Sequence, residues 1–432
     1  MNARADRSRA QDARSSALHV AQRLRESGFT AYFAGGCVRD ELLGLEPTDY
    51  DVATDARPDA VETLFRSTAH VGASFGVVLV RLTPKDLPAI RGKHTIEVAT
   101  FRADGDYSDR RRPDSVVFAD EHADAQRRDF TINALFLDPL GVDAPGSSAS
   151  GRLIDHIGGR RDLEQGIVRA VGDPSARLAE DHLRALRGVR FAARFGFTIE
   201  SATAAAIRDD AANLEGVSRE RIGSELRRML AHPTRADAVE YLHRLGLTER
   251  IVGAPGVRRA GTRTPGLSSL PSEADAILAL AAWVQDQDLD LAGLRPGLCL
   301  SNSETDDLHA LLDTAARLRF DWATAETPAR KRLAGRSVAE RALALVAAVD
   351  AGLAGTIQHE IHALAATPGG LSPKPFLTGE DLIAAGFRPG PSFGRALQQA
   401  YDLQLSNKIR TKEAAIEAAS RWIAEENPDL EG

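Results

Sequence analysis

The chain has 432 residues, 43% hydrophobic and 27% charged, with a net charge of −7. That length exceeds one ordinary core and implies about two to four domains. The composition is that of a soluble globular protein and excludes a disordered chain, and no apolar run approaches the roughly 20 residues that a membrane span requires. The opening MNARADRSRAQDARSS lacks the apolar stretch of a secretion signal, and Cys37 and Cys299 lie far apart without metal-ligand spacing. A cytoplasmic protein with two buried thiols, no disulfide framework and no zinc site is therefore expected.

In chain order, residues 9–26 read as an amphipathic helix, with Ala17, Val20, Ala21 and Leu24 at helical spacing and Gly28 as its stop. TAYFAGG reads as a strand running into a glycine turn, and VRDELLG as the first turns of the helix that follows. The runs Val77 to Leu82, Thr95 to Phe101 and Thr131 to Leu137 read as strands or buried segments. From about residue 175 the pattern turns to alanine- and leucine-rich helical periodicity with almost no strand signal. Proline, glycine and serine gather at 143–151, 253–272 and 366–375, and the second of these reads as a linker. Although the chain is acidic, arginines cluster at 110–112, 127–128, 160–161, 184–194 and 219–228, so a local basic cleft on an acidic protein is expected.

Asp49 and Asp51 form Asp-x-Asp. On a strand, alternation would put both carboxylates on one face, where they could share hard divalent cations and serve two-metal phosphoryl transfer. Alone, such a pair is common in surface turns. Its setting adds weight: Gly35 and Gly36 precede Arg39 by a few residues, and two glycines let a backbone approach a phosphate closely. Glu97 stands in a strand-like run that could bring a third carboxylate beside the pair. Arg128, in RRDFTINA, has the fork geometry for phosphate or sugar contacts. In EDHLRALRGVR, Arg184, Arg187 and Arg190 recur at intervals of three and share roughly one helix face. Asp181 accepts from amino groups and Arg184 donates in a fixed fork, so the two could read the Watson–Crick edge of ATP or CTP; the plain alternative is a salt-bridged helix face.

The stretch AYFAGGCVRDELLGLEPTDYDVAT resembles the signature of the class II CCA-adding enzyme and bacterial poly(A) polymerase family, within the polymerase-β-like nucleotidyltransferases. HTIEVATFRADGDY, RRDFTINA and EDHLRALRGVRF resemble further motifs of that family in the same order. DGDYSDRRRPDSVVF resembles its flexible loop, SRERIGSELRRML a motif on bracing helices, and residues 377–415 the tail of many bacterial CCA-adding enzymes. The resemblance covers 30–250 well and 375–425 fairly, while 253–370 matches nothing in it.

The resemblance implies an α/β head of polymerase-β-like nucleotidyltransferase type followed by all-α neck, body and tail. The corresponding boundaries are a head at 1–165, a helical neck at 166–252, a linker at 253–272, and a helical body and tail at 273–432 that bind tRNA. It implies Mg2+ on Asp49 and Asp51, with Glu97 as the third acidic residue. Gly35, Gly36, Arg39, Arg128, Asp181, Arg184, Arg187 and Arg190 are then the nucleotide-binding residues. The implied reaction adds C, C and A to the 3′ end of tRNA from CTP and ATP, releasing pyrophosphate, with no obligate protein partner. Poly(A) synthesis, or addition of CC or A alone, is the near alternative. A haloacid-dehalogenase-type phosphatase would also fit DYDVAT, but its sheet should open with that motif and the later chain should not be helical. A non-catalytic RNA-binding relative would have no need of all three acidic residues.

Overall fold

The computed structural model describes residues 3–70, 76–105, 116–141, 151–252, 264–387 and 390–426. The chain divides into two compact units: Met1–Met229 with Asp237–Ile251, and Leu230–Ala236 with Val252–Gly432.

The first unit opens with helix α1 (Ala3–Glu26), strand β1 (Ala31–Ala34), helix α2 (Gly36–Leu42), strand β2 (Asp51–Thr54) and helix α3 (Pro58–Leu64). Strands β3 (Thr68–His70), β4 (Val77–Leu82), β5 (His94–Thr100), β6 (Arg102–Asp104) and β7 (Val116–Phe118) follow, then helix α4 (Glu121–Gln126) and strands β8 (Phe136–Asp138) and β9 (Arg152–Ile154). Seven of these strands form one sheet in the order β3-β4-β5-β2-β1-β8-β9. It is mixed: β2 and β5 are parallel, and the other pairs are antiparallel.

The sequence dictates both faces of this sheet. Phe33, Val52, Val78, Val80, Ile96 and Val98 are all buried, as are Ala17, Val20, Ala21 and Leu24 of α1, which packs along β1, β2 and β5. The small alanines of α1 let the helix lie close to the strands, and each large side chain so buried contributes on the order of 2 kcal/mol. The alternate positions Tyr32, Ala34 and Ala53 join Phe101, Ala134, Phe136 and Val171 in a second cluster. The run Thr131 to Leu137 is buried as expected but is not one strand. Thr131–Asn133 form a 3-10 turn before β8, because the Asn133 side chain and the Thr131 hydroxyl are engaged with Asp129 and Asp162.

Helices α5 (Gly159–Gln165), α6 (Pro174–Glu180), α7 (Leu183–Phe195), α8 (Ser201–Asp210) and α9 (Arg219–Leu230) continue the chain. The stretch from 180 to 190 is not one helix. Asp181 is extended, with φ −155° and ψ 101°, and its carboxylate accepts from the Leu183 amide at 3.1 Å, so α7 starts afresh after it.

The described part of the second unit is helical. Its longer helices include Ala276–Gln287, Asn302–Phe320, Ala339–Val349 and Ala351–Ala365, and Ser301 and Glu304 close a capping box at the start of the second of these. Pro391–Leu405 and Lys412–Glu426 pack on each other around Ala396, Ala400, Ala415 and Ala419. Within the stretch read as a linker, Pro265–Ser269 is helical and 253–263 lie outside the described residues. Cys37 is buried, but Cys299 is exposed at a helix end with φ 49°, so the expectation of two buried thiols holds for the first alone. No helix among the described residues is long and apolar enough to cross a membrane.

Candidate active site

In the first unit a cleft of ≈570 Å3 is lined by the edge of β1, the α2 turn, β2, β5, the segment 127–133 and the arginine face of α7. Every residue singled out in the sequence borders it: Gly35, Gly36, Arg39, Asp49, Asp51, Glu97, Arg128, Asp181, Arg184, Arg187 and Arg190. Residues 106–115, most of the expected flexible loop, lie outside the described residues.

Strand register brings the carboxylates together. Asp51 is the partner of Ala34 on β1 and of Glu97 on β5, so the glycine turn and both acids meet at one level of the sheet. Asp49 is not on the strand, which begins at Asp51. Tyr50 between them points inward, edge-on to Phe33 at 5.1 Å and donating to Glu41 at 2.7 Å. The buried tyrosine turns Asp49 and Asp51 outward together, which achieves the alternation expected of a strand. The position of Asp51 in the cleft wall costs its carboxylate solvent, and Glu97 and Asp49 add like charge, so its pKa is pushed up to about 7 despite the opposing Arg128.

Among the described residues no three His, Cys, Asp or Glu side chains form a ready-made cation cage. The donor set nevertheless fits a hard cation, because it is all oxygen and its mutual repulsion is uncompensated within the protein. Magnesium ordinarily takes only one or two carboxylates and completes its shell with water and substrate phosphates.

The glycines differ in kind. Gly35 has φ 75°, and a Cβ there would stand 2.8 Å from Nη1 of Arg128, whereas a Cβ at Gly36 would meet Nη2 of Arg39 at an ordinary 3.6 Å. Arg128 is clamped by Asp124 at 2.9 Å and donates to the Asn133 carbonyl at 3.1 Å, with its guanidinium over the Phe136 ring. Asp124 itself, buried yet facing both Arg128 and Arg127, is held below the usual carboxylate range.

Arg39 is 4% exposed, lying over the rings of Phe191 and Phe195 and bound to Asp40 and the Asn133 side chain. The contact with an incoming nucleotide that the resemblance implies for it gives way here to a brace beneath the cleft.

The α7 arginines form the opposite wall. The helix's other face, including Leu186, Val189 and Ala192, is buried, and Gly188 lets it approach Phe130, whose ring would stand 3.0 Å from a Cβ. Each arginine has a carboxylate partner: Arg184 pairs with Glu180, Arg187 with Asp129 at 2.7 Å and Arg190 with Glu225 at 2.6 Å. Arg221 from α9 grips Asp181 through two bonds, at 3.1 and 2.6 Å. The helix face is thus salt-bridged, as the plain alternative had it, but its partners come largely from other elements and its guanidiniums still line the cleft.

Sequence reasoning missed the residues that hold the site rather than form it: Asp124, Asp129, Asn133, Arg221 and Glu225. Asp129 and Asn133 stood inside a motif already noted. Glu180, four residues before Arg184, carried a helical-pair signal, whereas the long-range partners left no local sign.

An Asp-x-Asp pair with a third acid on the adjacent strand, facing an arginine-lined wall across a phosphate-sized cleft, defines a nucleotidyltransferase of the polymerase-β-like type. Residues 31–169 match the model of the Poly A polymerase head domain, and 196–259 that of the Probable RNA and SrmB- binding site of polymerase A. The chain is 34% identical over 404 residues to a CCA-adding enzyme of Limosilactobacillus fermentum, covering 91% of this chain and 94% of that protein. It is 37% identical to one from Geobacillus thermodenitrificans over 69% of this chain and 70% of the relative. The crystal structure of the Bacillus stearothermophilus CCA-adding enzyme in complex with CTP superposes with a TM-score of 0.73 at 27% identity, over 95% of this chain and 98% of that one. The Thermotoga maritima enzyme complexed with tRNA, 19% identical with a TM-score of 0.65 over 95% of each chain, shares the fold. The chain belongs to the CCA-adding enzyme and bacterial poly(A) polymerase family, whose members depend on metal.

Proposed function

We propose that this protein adds C, C and A in turn to the 3′ end of tRNA, taking CTP and ATP as donors and releasing pyrophosphate. The observation that carries this reading is the register of Asp51 against Glu97 opposite the α7 arginines, which supports phosphoryl transfer to a nucleotide-bound end. Asp49 and Asp51 would hold Mg2+, with Glu97 completing the acidic set. Cations bound there would lower the pKa of the attacking 3′ hydroxyl and offset charge on the in-line phosphorus.

The protein's own groups do the rest. Arg128, Arg187 and Arg190 orient the triphosphate by charge-assisted hydrogen bonds. Asp181, fixed by Arg221, and Arg184, fixed by Glu180, present an acceptor and a donor to the base edge, so selection needs no template. Arg39 and Asn133 keep the glycine turn in place. The head at 1–165 and neck at 166–252 would carry the chemistry, with the body and tail at 273–432 gripping tRNA. A cytoplasmic location goes with this reading.

Similarity to CCA-adding enzymes over nearly the whole chain, not the head alone, favours tRNA over poly(A) synthesis. The test offers the purified protein a tRNA lacking its terminal trinucleotide, with CTP alone, ATP alone and both. Extension by two residues with CTP and by three with both is expected under the proposed reaction. Long adenylate tails would instead make it a poly(A) polymerase, and extension by CC or A alone would restrict it to part of the sequence.

A further inference from the structure

A second concavity of ≈260 Å3 lies in the same unit and shares no lining residue with the cleft. His19 and Arg23 of α1 border it, four residues apart and so on one helix face, with Arg66 just before β3, Arg81 near the end of β4, and Lys85 and Asp86 in the turn beyond. Four permanent cations thus surround one small hollow against a single carboxylate. That carboxylate is already engaged: Asp86 accepts from the Thr83 amide at 2.9 Å and hydroxyl at 2.8 Å.

The cations are placed unlike those of the cleft. Arg128, Arg184, Arg187 and Arg190 each hold a carboxylate. Among the described residues no side chain hydrogen-bonds or ion-pairs with the charged groups of Arg23, Arg66, Arg81 or Lys85. In a chain of net charge −7, four cations converging without partners carry a repulsion that only an outside anion relieves. Burial and Arg23 lower the pKa of His19, which suits it to a hydrogen bond more than to a fifth charge.

We propose that this hollow binds phosphate groups, either successive phosphodiesters of an RNA strand or the phosphates of a free polyphosphate. Forked guanidiniums and a lysine match phosphate oxygens better than any uncharged ligand. The register favours the RNA backbone. Arg81 pairs with Thr95, two residues before Glu97 on β5, so these side chains share one face of the sheet, and Arg81 stands roughly 7 Å along the strand from the level of the candidate catalytic acids.

The test compares the full-length protein with an Arg66→Gln/Lys85→Gln double variant and with the quadruple variant that adds Arg23→Gln and Arg81→Gln, each checked for native melting. Two binding readouts are taken. One is the salt dependence of affinity for a tRNA lacking its 3′ end, and the other is the calorimetric stoichiometry of inorganic tripolyphosphate. If RNA is the source, the magnitude of the log–log salt slope falls by about one per two contacts removed or more, up to about 0.9 per phosphate lost. If a free polyphosphate is the source, the wild type binds one more equivalent than the quadruple variant and the slope stays put. Unchanged slope and unchanged stoichiometry in a folded quadruple variant would overturn the proposal. Neither readout requires turnover, so this outcome is separate from that of the product-length assay.

Discussion

Arg187 on α7 reaches Oδ2 of Asp129 with both Nε and Nη2, at 2.8 and 2.7 Å, across 58 residues of sequence. Oδ1 of the same carboxylate accepts from the Phe130 amide and the Asn133 side chain, and Asn133 in turn receives Arg39. One aspartate therefore ties the arginine wall to the glycine turn. Burial alone would raise its pKa, but Arg187 and the hydrogen bond from Asn133 outweigh that and bring it down to about 2.

Because the folded pKa lies below the unfolded value of about 3.9, the ionised Asp129 stabilises the fold fully above pH ~4, and that stability is lost as pH falls toward about 2. The shift corresponds to about 2 kcal/mol. Denaturant titrations at pH 7 and pH 3 should show Asp129→Asn destabilised by about that amount at pH 7 and much closer to wild type at pH 3. A deficit of equal size at both pH values would remove the linkage.

For Asp51 the sign is reversed. Its pKa is raised to about 7 by burial and by Glu97 and Asp49, so without a cation its ionisation opposes folding as pH rises through 7. Asp51→Asn should therefore melt no lower than wild type in metal-free buffer at pH 8, while nucleotide incorporation falls at least about a thousandfold, the scale of losing a transition-state charge partner. Added Mg2+ should raise the melting temperature of the wild type and not of the variant. A variant that lost stability along with activity would make Asp51 a structural residue.

The acidic pair, the glycine turn and the arginine stripe were legible because each is a local pattern: spacing along a strand, along a turn and along a helix face. Two local readings went astray for equally physical reasons. The acidic pair reads as strand from alternation, yet buried Tyr50 alone turns Asp49 outward from a loop. EDHLR reads as uninterrupted helix, yet Asp181 prefers to cap the next helix with its own side chain. What could not be read were partners set by tertiary packing, such as Glu225 against Arg190, because nothing near either residue announces the other. Nor does Arg39 show in sequence that two phenylalanines 152 and 156 residues later will stack on it and bury it.

Arg221 offers a test of base selection from behind the cleft. It does not border the cavity, but its two bonds hold the Asp181 carboxylate in one orientation. Arg221→Lys keeps the charge and loses the fork. The expected result is a narrowed preference of CTP and ATP over GTP and UTP, by roughly tenfold in kcat/KM, as one oriented hydrogen bond is worth about 1–2 kcal/mol. Affinity for tRNA should stay within about twofold. A uniform drop for all four nucleotides would assign Arg221 to stability alone.

The two glycines of the turn look equivalent in sequence and are not. Gly36→Ala adds a methyl 3.6 Å from Nη2 of Arg39, ordinary contact in a helical position, and should cost little in either stability or rate. Gly35→Ala meets two obstacles together. Its φ of 75° with ψ of −122° is a conformation that side chains rarely adopt, and the new Cβ would stand 2.8 Å from Nη1 of Arg128. The strain alone is worth about 1–3 kcal/mol. Since Arg128 is held by Asp124 and the Asn133 carbonyl, it can retreat only by giving up those bonds. Gly35→Ala should therefore lower stability by that amount and raise the KM for CTP and ATP, with Gly36→Ala close to wild type in both. Equal effects of the two substitutions, measured by denaturation and steady-state kinetics side by side, would show that the turn serves only to reverse the chain and that Arg128 does not depend on Gly35 for its place.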